Sequence, residues 1–215
     1  MTRGEIKTEV FRRLREVSAA AVYWSVPDVE GAINDGYAEI SDATEWYELN
    51  DTITVPARVP FFDIRQFLSG REFLRAGAGF NTTTNRWLTP LVPSELDKSD
   101  RLWESRIAVP EYIMMRGIWQ VSYWPYAGGT VKQYYSSLPP VMTSDSDEPG
   151  FHDALHYGLV EYALWDLWAQ DAETDLAWAA WKEYLEYEIA LGDFINGRAK
   201  VPKVHGNRQA NSAGL

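Results

Sequence analysis

Two histidines, His152 and His156, stand four residues apart with Asp153 between them. On a helix that spacing puts both imidazoles on one face, the geometry with which metalloproteases hold zinc. The same chemistry needs a glutamate base within the H-E-x-x-H run and a third ligand downstream. Here Asp153 stands where that glutamate would be, one methylene shorter, and the remaining histidine, His205, lies near the C-terminus. The pair therefore reads as hydrogen-bonding residues at a helix start, where Asp153 also suits the helix dipole. Gly77-Ala78-Gly79 lacks the third glycine and the strand–helix setting of a dinucleotide loop. With 31 acids, some carboxylates will lie by chance at the ~5–10 Å that glycoside hydrolysis uses, but nothing selects one pair. Cysteine is absent, which excludes disulfides, zinc ribbons and thiol nucleophiles. The expectation is a protein that is not an enzyme, with no catalytic residue, no metal site and no cofactor.

Tryptophan is the notable excess. Trp165 and Trp168, and likewise Trp178 and Trp181, are three residues apart, so each pair shares a helix face. Such rings serve as the core of a helical bundle, or as a subunit interface, where tryptophan is enriched. Sugar stacking is a third use. A second chemical cluster is basic: Arg198, Lys200, Lys203 and Arg208 fall in the last 18 residues, which hold no acid.

The elements that must carry these residues are legible from periodicity. Thr2-Arg3-Gly4-Glu5 is a capping box, after which Ile6, Val10, Leu14 and Val17 recur at helical spacing. Ser25-Val26-Pro27-Asp28 starts a second helix, with Val29, Ile33, Tyr37 and Ile40 on one face, giving an N-terminal helical hairpin. Asn50-Asp51 reads as a turn, followed by strand alternation through Ile53, Val55, Ala57 and Val59, with Pro56 favouring a sheet edge. Arg71–Arg75 reads as a strand ending at Gly77-Ala78-Gly79, and Pro93-Ser94-Glu95-Leu96 as the start of a short helix. Tyr112–Tyr123 and Thr130–Ser136 flank Pro125–Gly129 as a hairpin. Thr143–Gly150 is polar and acidic, the best linker candidate. Next comes a helix apolar on most faces, with Phe151, Leu155, Leu159, Tyr162 and Leu167, and a break at Asp171–Thr174. The last helix has Trp178, Trp181, Leu185 and Ile189 as its stripe, Glu183, Glu186 and Glu188 on its other face, and Gly192 as its terminator. Beyond Arg198 the periodicity ends, which predicts a mobile tail.

The formal net charge is −11, and because the last 18 residues carry four of the 20 cations, the rest of the chain has 16 cations against 31 acids. A body near −15 argues against general nucleic-acid binding, which needs clustered cations. The first 25 residues include Glu5, Glu9 and Glu16, so no signal peptide is expected, and no window reaches the ~20 apolar residues of a membrane span. Synthesis and folding in a cytoplasm, with no membrane partner, are expected.

The helix opening with Thr2-Arg3-Gly4-Glu5-Ile6, the run Trp24–Asp28, and Ile33-Asn34-Asp35-Gly36 precede a strand-rich middle; Glu148-Pro149-Gly150-Phe151-His152-Asp153-Ala154-Leu155 then opens a C-terminal helical pair. This order resembles the head-to-tail adaptor (connector) proteins of tailed bacteriophages, particularly those of short-tailed phages. The resemblance implies an α+β fold. Residues 1–197 would form an adaptor domain, with a helical bundle from 1–48 and 151–195 and a β-rich insert at 50–142. Residues 198–215 would be a disordered, basic C-terminal tail. It also implies a structural virion subunit at the head–tail interface, in a closed ring of about twelve copies. That ring would join the portal protein above to tail or nozzle proteins below and line the channel through which genomic DNA passes without sequence specificity. An acidic wall would discourage DNA from sticking. Arg198, Lys200, Lys203 and Arg208 would bind the portal, since 18 residues can span up to ~60 Å. The competing reading is a carbohydrate-binding or glycan-cleaving tail module, for which Trp119 and Trp124 are the stacking candidates; contact of the tail with channel DNA is a weaker third.

Overall fold

In the computed structural model, which describes residues 1–15, 23–69, 72–99, 102–117 and 119–199, helix α1 (Arg3–Arg13) begins at the expected capping box. Thr2 Oγ1 accepts from Glu5 N–H at 3.2 Å, and Glu5 Oε2 accepts from Thr2 N–H at 2.9 Å. Two more first-turn donors, Arg3 N–H and Gly4 N–H, have no partner within a helix. They donate to the carbonyls of Asp147 (2.7 Å) and Asp145 (3.0 Å). The segment expected as a linker is therefore docked structure: it finishes the cap of α1. Gly4 permits that approach, since a Cβ there would stand 3.1 Å from both the Asp145 carbonyl oxygen and its Cβ.

Among the described residues the protein is α+β, with five α-helices and two four-stranded sheets. It divides into two compact units, Met1–Ile40 with Val141–Leu215, and Ser41–Pro140. In the first unit α2 (Val26–Thr44) starts at Ser25, whose Oγ donates to Asp28 Oδ2 at 2.5 Å. Val29, Ile33, Tyr37 and Ile40 are buried as the periodicity predicts. The closest helical neighbour of α1 is α4 (Tyr157–Gln170), not α2. Long polar side chains join α1 to α2: Lys7 Nζ lies 2.8 Å and Arg3 Nη2 3.2 Å from Glu30 Oε1. Helix α4 is buried on most faces, with Leu159, Val160, Ala163, Leu164 and Leu167 all at 0% exposure. Gly36 lets α2 come close to it, because a Cβ at that position would lie 2.7 Å from the Tyr162 ring.

The second unit departs more from the sequence reading. Strand β1 runs Glu48–Val55, so Asn50 and Asp51 lie within it, opposite Tyr134 and Gln133, and are not a turn. It is an edge strand, and Pro56 follows its last residue, where the missing N–H costs no ladder bond. Strand β3 (Phe73–Asn81) passes through Gly77-Ala78-Gly79 without ending there, with a register shift between Ala76 and Gly79. The helix expected from Pro93 is present as α3 (Pro93–Ser99). The proposed hairpin across Pro125–Gly129 does not form. Instead β6 (Tyr112–Arg116) pairs with β7 (Gln120–Trp124), while β8 (Gly129–Ser137) crosses to the other sheet and runs between β1 and β3. Around these, β2 (Phe62–Asp63) extends the β7 edge, β4 (Arg86–Trp87) the β3 edge, and β5 (Thr89–Pro90) pairs parallel with β6. The failed hairpin has a chain-pattern cause: Gly, Pro and small residues mark a reversal but do not say which strands it joins.

Both sheets share one core, to which Ile53, Val131 and Tyr135 contribute from one and Ile113, Val121 and Tyr123 from the other. Across it the Tyr123 hydroxyl donates to Gln133 Oε1 at 2.7 Å. Gln133 Nε2 in turn donates to the carbonyl of Gly77 at 3.1 Å, an acceptor freed by the bulge.

Two glycines on α2 give opposite expectations. Gly31 is exposed with nothing within 4 Å of an added Cβ, so Gly31→Ala should stabilise by up to ~1 kcal/mol. Gly36→Ala should destabilise by ~1–3 kcal/mol through overpacking on Tyr162. Urea unfolding of the two variants beside the parent checks both signs.

Candidate functional site

The tryptophan-bearing helices α4 and α5 (Thr174–Ala199) form an antiparallel pair joined by a three-residue turn, as the break at Asp171–Thr174 predicts. The turn closes by hydrogen bonds from Glu173 N–H to Trp168 O (2.9 Å) and from Ala172 N–H to Ala169 O (3.2 Å). That is the Schellman pattern, which favours glycine at its left-handed position. Here the position holds Ala172, with φ at 60°.

Packing within the pair differs from the expected stripe. The buried face of α5 is Ala177, Ala180, Tyr184 and Leu191, while Trp178 is 58% and Ile189 63% exposed. Trp178, Trp181, Leu185 and Ile189 do share a face, but it is turned about 100° from the one that meets α4. Alanine wins the contact because helices carrying large rings approach closely only over small residues. Nor does α5 stop at Gly192; it continues to Ala199, with Leu191 buried beside the glycine.

Trp165 and Trp181 face each other, ring centroids 4.6 Å apart, and Tyr184 continues the stack 5.1 Å beyond Trp181. Trp165, Trp178 and Trp181 line a groove of about 380 Å³ together with Ala169, Ala172, Thr174 and Ala177. Trp168 is half-buried and does not line it. The surroundings are acidic. Asp171, Glu173 and Asp175 are exposed at the turn, and from Tyr157 to Asn196 the only cation is Lys182. Burial pushes the Asp166 carboxyl up, with Gln170 pulling the other way. The basic cluster cannot be placed against this groove: Lys200, Lys203 and Arg208 lie outside the described residues, and of Arg198 only the backbone, within α5, is described.

Below the groove, α1 is held to α4 by charge. Arg13 pairs with the fully buried carboxylate of Glu161. Burial pushes that carboxyl up, opposed by Arg13. Glu9 is held down at about 2 by hydrogen bonds from Arg12 first and then from Tyr157, whose hydroxyl donates at 2.5 Å. The two histidines are engaged in the ordinary way. His156 is buried, its Nε2 donating to the Phe151 carbonyl at 2.9 Å and its Nδ1 accepting from the Met1 amino group at 2.7 Å; His152 Nδ1 accepts from Ala154 N–H at 3.2 Å. No group of three or more metal-ligating side chains occurs among the described residues, and none of their helices is long and apolar enough to cross a membrane.

The second unit has two open hollows of about 450 Å³ each, which meet at the exposed ring of Trp87. The stacking candidates are half-buried and already engaged: the Arg65 guanidinium sits 4.1 Å from the Trp119 ring centre, and Trp124 donates to the Trp103 carbonyl at 2.8 Å.

A family model described as SU10 adaptor protein matches residues 1–207. The chain belongs to the SU10 adaptor family. Comparison with curated proteins gives no match. The adaptor family is one of structural bacteriophage virion proteins concerned with head-to-tail joining and tail assembly, which agrees with the expected resemblance. As an adaptor the chain meets portal and tail proteins and copies of itself. Periodicity found the stripe of α5 and left its partner open between the bundle core and a subunit interface, since a stripe does not say which neighbour covers it; within the subunit Trp181 meets Trp165, while Trp178 and Ile189 are exposed.

Two measurements follow. Because the Glu9 carboxyl is lowered on folding, its contribution is present above the ordinary 4.5 and is lost as the pH falls toward about 2. Glu161, raised on folding, has the opposite sign and loses its contribution as the pH rises. Glu9→Gln should therefore flatten the acid side of a stability–pH curve recorded by urea unfolding. Ala172→Gly should raise stability by up to ~1 kcal/mol at the left-handed position, measured the same way.

Proposed function

We propose that this adaptor acts as a closed ring of about twelve identical copies, docked between the portal and the tail of a short-tailed phage and lining the DNA channel. The observation that carries the reading is the face of α5 on which Trp178 and Ile189 are exposed, with Leu185 half-buried between them, on a single subunit of a family that assembles. Large apolar side chains turned outward together mark an interaction surface. Trp165, Trp168, Trp178 and Trp181 are in this reading divided between the bundle and the contact with a neighbouring copy. The helical bundle, 1–48 with 151–195, meets the portal, and the insert, 50–142, faces the tail and nozzle proteins. Arg198, Lys200, Lys203 and Arg208 form the segment that reaches toward the portal. The body, near −15 before that segment, keeps DNA moving by repulsion. The sugar-binding alternative has less support, because Trp119 and Trp124 are already engaged.

The test is to mix the full chain with its cognate portal and image the product by electron microscopy. A ring of density added beneath the portal, with one rotational symmetry, is the expected result; portals that remain bare would sink the proposal. Ile189→Asp should leave the monomer folded, since the side chain is 63% exposed, and should prevent ring closure.

A further inference from the structure

We infer that the tryptophan groove at the α4–α5 turn receives residues Lys200–Val204 of a second copy of this chain, an inference that rests on the ring reading above. Three features of the groove select its occupant. Its lining is three indole rings, Trp165, Trp178 and Trp181, with three alanines and Thr174 between them, so it accepts flat or compact apolar groups. Its rim is acidic, with Asp171, Glu173 and Asp175 exposed and no cation nearer in sequence than Lys182. Its volume, about 380 Å³, suits a few side chains of an extended strand and not a helix.

The segment Lys200-Val201-Pro202-Lys203-Val204 has the complementary chemistry. A residue that precedes proline, as Val201 does, favours extended backbone, which suits entry into such a groove. Aromatic-lined grooves take proline-containing extended segments without much ordering cost. Lys200 and Lys203 bring charge to the acidic rim and can lie over an indole face within ~6 Å. The other long internal stretch outside the described residues, 16–22, brings Glu16 and no cation, so the rim would repel it.

Geometry decides between a chain's own segment and its neighbour's. The groove lies at the start of α5, and the segment leaves from its far end at Ala199. From Ala177 to Ala199 the helix covers about 33 Å. Five extended residues reach about 17 Å. Lys200–Val204 cannot return to its own groove, but each copy can supply the groove of the next. In this arrangement the neighbouring copy takes Lys200 and Lys203, and of the basic cluster it is Arg208, within the remaining residues 205–215, that is left to approach the portal.

The chain has no cysteine, which makes a cross-link unambiguous. Full-length Ala169→Cys, a change in the groove lining, is mixed with full-length Val204→Cys, assembled on portals and oxidised. Disulfide pairs containing one chain of each kind are expected, and their yield should fall about tenfold when the second chain also carries Lys203→Glu. Rings that form without cross-linked pairs overturn the docking and leave the ring reading standing. A chain carrying both cysteines that closes on itself as a monomer overturns exchange between copies. Absence of rings in micrographs of the same samples removes the ring reading, and this inference with it.

Discussion

The first turn of α1 is where the helical unit is held together. Every helix start leaves backbone donors that the helix itself cannot use, and burying them unpaired costs ~1–3 kcal/mol each. Here Thr2 takes one through its hydroxyl, and the returning segment takes two through the carbonyls of Asp145 and Asp147. The same segment is fixed from the other side by Asn34, whose Oδ1 accepts from Met142 N–H at 2.9 Å and whose Nδ2 donates back to the Met142 carbonyl at 3.2 Å. Arg3, only 6% exposed, adds bonds to the Met142 carbonyl and the Asp145 carboxylate. One short stretch after the insert thus closes the cap of α1, anchors to α2 and neutralises a buried guanidinium. Remove it, and two backbone donors, the Arg3 guanidinium and the Asn34 amide lose partners at once.

Charge and small residues then set what remains open. The Arg13–Glu161 pair is expensive to bury and contributes little net stability, but it fixes the register of α1 on α4, because any other arrangement strands a charge. Alanine on the inner face of α5 brings the two C-terminal helices close, and that closeness turns the larger stripe outward. The exposure of Trp178 is therefore a consequence of good packing inside the subunit. A monomer that packs α5 through alanine must display Trp178 and Ile189, and an assembling family gives that display a use.

In the insert, the corresponding constraint is a single amide. Gln133 is buried between two sheets, where an unpaired amide would be costly. It is satisfied by the Tyr123 hydroxyl on one sheet and by the carbonyl that a bulge releases at Gly77 on the other. The irregularity of β3 and the polar residue in the core each account for the other.

Local features were legible in the residues alone: the caps at Thr2 and Ser25, the buried face of α2, the apolar α4, the turn after Asp171 and the short helix at Pro93. Each depends on groups within a turn or two of one another, so sequence determines it. Tertiary structure decided whatever involves choosing a distant partner. It turned Thr143–Gly150 from a linker into a cap, because backbone acceptors carry no sequence signature. It sent β8 to the far sheet, because strand alternation does not name the neighbouring strand. And it gave the α4–α5 contact to alanine, Tyr184 and the Trp165–Trp181 pair while leaving Trp178 exposed, because contact between helices rewards close approach as much as apolar area.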